Sequence, residues 1–233
     1  MIRILEITSE LDGGGVERLL FDYCKKLIDT KEFAFDFVVT SKNKGILEKP
    51  LEEYGCSVFH LPQYREGIKK HNKELSKILD SKHYDAIHDH GGYKAFFNLK
   101  IGKRKHIKCL IAHSHQSNIP ESFKQKVVRK IFTFFTKKYA TDLFCCGKDA
   151  GIWMWGEKDF KKHVFVMKNC INSKDFAYNE AVREKYRNEF NIKRDEILLG
   201  NIARFSYQKN QKFLVDVMSR LVKKNPKYKL LFV

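Results

Sequence analysis

Ile2-Arg3-Ile4-Leu5-Glu6-Ile7, then Thr8-Ser9-Glu10-Leu11-Asp12, then Gly13-Gly14-Gly15-Val16-Glu17-Arg18 open the chain and decide its fold. The first run reads as a buried strand. Past the triple glycine, apolar residues at positions 16, 19, 20, 23, 24 and 27 predict a helix over Val16–Ile28. Strand, glycine turn and helix in that order begin an α/β unit, and the alternation continues. Further strands are predicted at Phe35–Val39, Ser57–Leu61, Tyr84–His88, Cys109–Ala112, Leu143–Cys146 and Val164–Val166. Helices are predicted at Ile46–Tyr54, Ile68–Leu79, Lys94–Ile101 and Phe123–Tyr139, with a short one near Trp153. This is the pattern of a doubly wound, mostly parallel sheet with helices on both faces. Such sheets bind ligands at the carboxyl ends of their strands. That directs attention to Thr8–Gly15, His88–Gly92, Ala112–Ser117 and Cys146–Lys148.

After Asn169 the texture changes. Asn172–Phe176 is a polar turn and Ala181–Phe190 a charged helix. A new strand is predicted at Ile197–Ile202, a helix at Phe213–Val222 and a strand at Lys229–Val233. The reading is an N-terminal domain over 1–170, then a linker and the opening βαβ segment of a second α/β domain over 171–233. The chain stops inside an apolar strand pattern. A complete second domain would take on the order of 100 further residues, so the sequence is expected to end before that domain does.

Composition sets the remaining bounds. Hydrophobic residues make up 43% of the 233, enough for a packed core. Lys and Arg number 45 against 28 Asp and Glu, a formal +17. A surplus of that size suits polyanionic partners, whether phosphorylated substrate, anionic lipid or nucleic acid, and a lysine-rich composition bias also produces it. The six cysteines form no C-x-x-C pair, which fits a reduced, cytoplasmic setting. The N-terminus lacks a signal-peptide layout, and no apolar run is long enough to span a membrane.

Four groups of residues carry candidate chemistry. Gly13, Gly14 and Gly15 would let backbone N–H groups approach a phosphate at a helix start; a plain tight turn is the other reading. The dinucleotide fingerprint is incomplete, with Arg18 at its third glycine position, so a nicotinamide enzyme is disfavoured. His88-Asp89-His90 and His113-Ser114-His115 each put two imidazoles on one strand face. They suit a polar substrate cleft, a metal site, or structural packing. Arg204, Lys209 and Asn210 lie between a strand end and a helix start, where two cations suit a diphosphate. The helix from Phe123 carries Lys124, Lys126, Arg129 and Lys130 beside Phe132 and Phe135. That composition suits either an anionic membrane surface or a core-packed helix with a solvated basic face.

With these pieces in place, the sequence resembles glycosyltransferase family 4, the retaining GT-B family, and is most similar to its bacterial capsular and exopolysaccharide members. The resemblance rests on Ser9 through Arg18, Asp85-Ala86-Ile87-His88-Asp89-His90 and Ala112-His113-Ser114-His115. Lys168-Asn169-Cys170-Ile171-Asn172 through Phe176, and Gly200 through Phe205 with Gln208-Lys209-Asn210, complete it. It implies two Rossmann-like domains of GT-B type and transfer, with retention, of a hexosyl group from a nucleotide-sugar, a UDP-sugar above others. The acceptor would be lipid-linked or an oligosaccharide, in cell-surface glycan synthesis. It further implies that Gly13–Gly15, Arg204, Lys209 and Asn210 meet the donor diphosphate. His115, with His113 second, would lie near the transferred sugar, and His88 and His90 in the acceptor-side cleft. No metal or other cofactor, no nucleic acid, and a peripheral seat on the inner face of the membrane are expected. The family's E-x7-E motif, which contacts the donor sugar and nucleoside, is expected downstream of these residues, so the chain by itself is expected to transfer no sugar. Two rival readings stay open: a basic α/β module binding nucleic acid or anionic lipid, and a metal-dependent hydrolase built on the H-x-H pairs.

Overall fold

Parallel pairing organises the first part of the chain. In the computed structural model, which describes residues 1–117 and 120–233, β1 (Ile2–Thr8), β2 (Phe33–Val39), β3 (Ser57–His60), β4 (Ala86–Asp89), β5 (Cys109–Ser114), β6 (Asp142–Cys145) and β7 (Val164–Val166) form one sheet. Their spatial order is β3-β2-β1-β4-β5-β6-β7, and every pairing is parallel. Between them run α1 (Gly15–Asp29), α2 (Glu48–Glu53), α3 (Tyr64–Ser81), α4 (Phe96–Arg104), α5 (Phe123–Tyr139), α6 (Lys148–Trp155) and α7 (Glu157–His163). The doubly wound α/β fold predicted from the sequence is the one observed.

Side-chain alternation splits the core in two. Phe35, Phe37 and Val39 of β2 pack with Leu20 and Cys24 of α1 and Leu51 of α2. Leu5 and Ile7 of β1, Val38 and Ile87 pack with Leu75 and Ile78 of α3, Leu99 of α4, and Met154 and Trp155 of α6. Both faces of the central strands are therefore buried, and Leu5, Phe37, Val38 and Ile87 are fully inaccessible. Gly102 sets the approach of α4: a Cβ there would come within 2.6 Å of Ile87 Cδ1 and 2.7 Å of Leu110 Cδ2.

The boundaries moved in instructive places. Strand β4 begins at Ala86, where its ladder with Ile4 of β1 starts, and the Tyr84 hydroxyl before it donates to Asp36 at 2.9 Å. Helix α3 starts four residues earlier than its apolar face suggests, with a break at Gly67, where φ is 132°. The short helix α7 has no buried residue, and so no periodic stripe announces it.

The chain divides into two compact units, Met1–Asn172 and Ser173–Val233. The second holds α8 (Glu180–Glu189), β8 (Ile197–Asn201), α9 (Gln211–Lys224) and β9 (Tyr228–Phe232), with β8 and β9 parallel. Among the described residues no helix is long and apolar enough to cross a membrane.

Candidate functional site

The strand order reverses between β1 and β4, and a doubly wound sheet opens its binding crevice at that point. One buried carboxylate and four imidazoles gather there. Glu6 stands on β1; His88 and His90 come from the end of β4, and His113 and His115 from the end of β5. The period-two alternation of a strand stacks the rings in pairs: His88 and His90 centroids lie 4.1 Å apart, His113 and His115 4.0 Å.

Hydrogen bonds tie the five groups into a fork. His90 Nε2 lies 2.8 Å from Glu6 Oε2. His88 Nδ1 lies 3.1 Å from Oε2 and 3.3 Å from Oε1. Each ring then meets one on the next strand: His88 Nε2 is 3.0 Å from His113 Nδ1, and His90 Nδ1 is 2.7 Å from His115 Nε2. Glu6 is buried, as are His88 and His113, while His115 keeps partial exposure.

Burial pushes the Glu6 carboxyl up, but the His88 and His90 rings outweigh it and hold the group at about 2. Burial and the neighbouring imidazoles lower His90 to about 4 and His115 to about 3, and push His113 down as well. The cluster thus holds one fixed negative charge beside three imidazoles, His90, His113 and His115, that resist protonation. Ring nitrogens of His88, His90 and His113 lie within 4.8 Å of one another, a spacing also seen around cations. Here the rings are already joined to each other and to Glu6 by hydrogen bonds.

Asp89 leaves the fork. Asn98 Nδ2 and the Gly91 N–H each donate to it at 2.7 Å, so it braces the turn after β4. Glu6 was not singled out from the sequence. Its signal was an acidic residue inside a strand otherwise apolar around it and buried on both faces. Asp36 gives the same signal with another outcome. It is satisfied by Ser57 N–H, Tyr84, Arg3 and Lys82, and is structural.

The other predicted residues fall elsewhere. Gly14 caps α1 in extended geometry, and the Glu17 carboxylate crowds the place a Gly14 side chain would take. Gly15 has open space around it. In the second unit Arg204 and Lys209 are both exposed in the segment between β8 and α9. Lys209 sits in a single 3-10 turn rather than opening the helix, and Asn210 takes the left-handed conformation, φ 50°. Gln211 closes this segment by donating to the Arg204 carbonyl at 3.0 Å.

Helix α5 divides the basic-amphipathic set. Lys124, Lys126 and Lys130 are exposed, with Phe123, Ile131 and Phe134 beside them, and Phe135 at 37%. Arg129 corrects the expectation of a surface role. It is buried, pairs with Glu121 at 2.8 Å, donates to the Trp153 carbonyl at 3.0 Å and stacks on the Trp153 ring. Phe132 also turns inward, against Phe96 and Phe97.

No family model matches the chain. Two bacterial relatives do. EpsF of Bacillus subtilis, assigned as a glycosyltransferase, is 22% identical over 98% of this chain and 60% of its own length. CapH of Staphylococcus aureus, a capsular polysaccharide biosynthesis glycosyltransferase, is 25% identical over 100% of this chain and 62% of its own. The chain is similar to polysaccharide glycosyltransferases. It spans about 60% of the length of these relatives. Among solved structures, Anabaena HepE, crystallised with UDP and glucose, superposes with a TM-score of 0.76 at 16% identity, over 100% of this chain and 60% of that one. At that identity the likeness establishes the shared Rossmann-like α/β fold.

Proposed function

We propose that this chain is the acceptor-side domain, with the start of the donor-side domain, of a retaining family 4 glycosyltransferase. It would move a hexosyl group from a UDP-sugar to a lipid-linked or oligosaccharide acceptor in capsule or exopolysaccharide synthesis. The observation that carries the reading is that the likeness to EpsF and CapH runs the length of the chain, through both units. The histidine fork supports it, since it sits where this fold binds ligands and presents neutral imidazoles suited to hydroxyl groups. HepE, of the same fold, was crystallised with UDP and glucose.

In this reading Arg204 and Lys209 grip the donor diphosphate and neutralise the charge that develops on the leaving group. They thereby do what a metal does elsewhere, so chelators leave donor binding unchanged. His115 faces the transferred sugar. The glycine turn contributes backbone approach only where the Glu17 carboxylate permits it. Helix α5 seats the first unit on an anionic membrane surface through Phe123, Phe134 and its lysines, at the cytoplasmic side.

The test is titration of the chain with UDP, followed by backbone NMR. Amide shifts confined to residues around 203–211, and their loss in an Arg204→Ala/Lys209→Ala variant, are expected. An unperturbed 203–211 segment at saturating UDP would sink the assignment. Retention is read separately from the anomeric configuration of the product, and an inverted linkage would refute that part.

A further inference from the structure

The fork has a polarity that its geometry dictates. A carboxylate only accepts hydrogen bonds, so both rings that touch Glu6 must bring it an N–H. His88 therefore carries its proton on Nδ1 and His90 carries its own on Nε2. A neutral imidazole has one N–H, which leaves His88 Nε2 and His90 Nδ1 as lone pairs. Those two atoms face His113 Nδ1 at 3.0 Å and His115 Nε2 at 2.7 Å, so each of these must be the N–H. The proton pattern runs outward and ends in two lone pairs, on His113 Nε2 and His115 Nδ1.

An independent observation fits this direction. His113 Nε2 is buried and has no hydrogen-bond partner among the described residues. A buried acceptor without a partner is tolerated more often than a buried N–H without one. With the reverse polarity, or with an imidazolium in the His88 branch, that atom would be an orphaned donor. The lowered values of His90 and His115 agree with a set of neutral rings.

We propose that Glu6 is a positioning residue that fixes the tautomers of all four imidazoles, so that the half-exposed end of the fork, His115 Nδ1, accepts a hydrogen bond from a ligand hydroxyl and does not bind an anion. The branch end is a lone pair backed by a fixed negative charge. A phosphate oxygen, itself an acceptor, finds no proton there; a sugar hydroxyl supplies one. Only the identity of the ligand rests on the glycosyltransferase reading, in which the fork would meet sugar and the phosphates would be held by other residues. The tautomer pattern stands on the first unit alone.

The substitution Glu6→Gln isolates the effect. A glutamine amide accepts at its oxygen but donates at its nitrogen. The ring facing the nitrogen must then give up its N–H there, and its whole branch reverses while the other keeps its direction. One-bond and long-range nitrogen-15 correlation spectra of imidazole-labelled protein distinguish the two ring nitrogens, with single His→Gln variants giving the assignments. At neutral pH the wild type should show N–H at Nδ1 of His88 and His113 and at Nε2 of His90 and His115. Glu6→Gln should invert one pair. Glucose at high concentration should shift His115 Nδ1, and sulfate, an anion without a proton to donate, should leave it in place at the same concentration.

An imidazolium among the four at neutral pH, any other tautomer pattern, or four tautomers unchanged in Glu6→Gln would overturn the proposal. So would stoichiometric displacement of these protons by zinc. A sulfate-induced shift, or no shift with glucose, would overturn the ligand class. If Glu6→Gln does not fold, the wild-type pattern and the ligand titrations still decide. No nucleotide-sugar enters these measurements, so absent UDP binding would remove the glycosyltransferase reading and leave the polarity standing.

Discussion

Lowering the pH from about 7.5 to about 5 should destabilise the first unit by about 6 kcal/mol, about 2 kcal/mol for each of three imidazoles of the fork. His90, His113 and His115 start from an ordinary 6.5 and are all held lower in the fold, His90 at about 4 and His115 at about 3. In the unfolded chain each takes up a proton as the pH drops through 6.5; in the folded protein none does. The unfolded state thus binds more protons, and stability is lost as pH falls. Other groups can be separated. Glu6 and Asp36 have lowered carboxyls and lose their contribution only below about 4.5 and 3.8. Against its burial, the Ser41 carbonyl and Glu48 raise His60, whose contribution grows as pH falls to 6.5 and is constant below it, so it offsets part of the loss above 6.5 and adds no slope between about 6.5 and 5. Burial raises Asp89, which acts in the opposite sense and offsets part of the loss. Comparison with His115→Gln cancels Asp89 and should shrink the loss by about 2 kcal/mol. Both tryptophans, Trp153 and Trp155, lie in the first unit, so their fluorescence during urea unfolding reports it alone. With total stabilities of about 5–15 kcal/mol for a domain, the effect is large. A stability unchanged between about pH 6.5 and 5, or a slope identical in His115→Gln, would show that the imidazoles titrate normally and that the fork is not held neutral.

Arg204→Ala with Lys209→Ala should weaken UDP binding by about 3 kcal/mol, roughly a hundredfold, at two charge-assisted contacts; calorimetry with UDP gives the number, and unchanged affinity rejects the clamp. Lys124, Lys126 and Lys130 changed together to Gln should cost vesicle binding about 1 kcal/mol each on anionic lipid, without changing stability; equal binding in a sedimentation assay rejects the membrane seat. Arg129→Ala should instead cost about 2–4 kcal/mol of stability by stranding Glu121 and baring the Trp153 ring, which thermal unfolding would detect. Gly102→Ala should destabilise by about 1–3 kcal/mol, because Ile87 and Leu110 are already in the way.

Much of this was legible in order and little in detail. Alternating apolar runs specify strand, helix and parallel sheet, because the central strands are buried on both faces and the longer helices of the first unit on one. The two H-x-H segments were legible as ring pairs because strand alternation is local. Their union with Glu6 was not, since that depends on β1 lying beside β4, a neighbour 82 residues away in the chain. Arg129 and Lys130 are adjacent and both basic, yet only helix rotation against Trp153 decides that one is buried and the other exposed. The glycine turn suggested a phosphate seat, and the nearby Glu17 changes the local charge that a phosphate would meet.

The position of β1 also has a consequence for how the protein is made. Of the seven described strands of this sheet, the one made earliest is a middle one, and its partner β2 is made well before its other partner, β4. Three strands can therefore assemble early with the Glu6 carboxylate still hydrated. Dehydrating it before residues 88–115 arrive would leave a charge without its partners, which is strongly unfavourable. The docking of β4 and β5 is thus coupled to the closing of the fork, a non-local step of the kind that slows folding. A neutral residue at position 6 would loosen that coupling, letting the early strands collapse ahead of schedule onto whatever apolar surface is near.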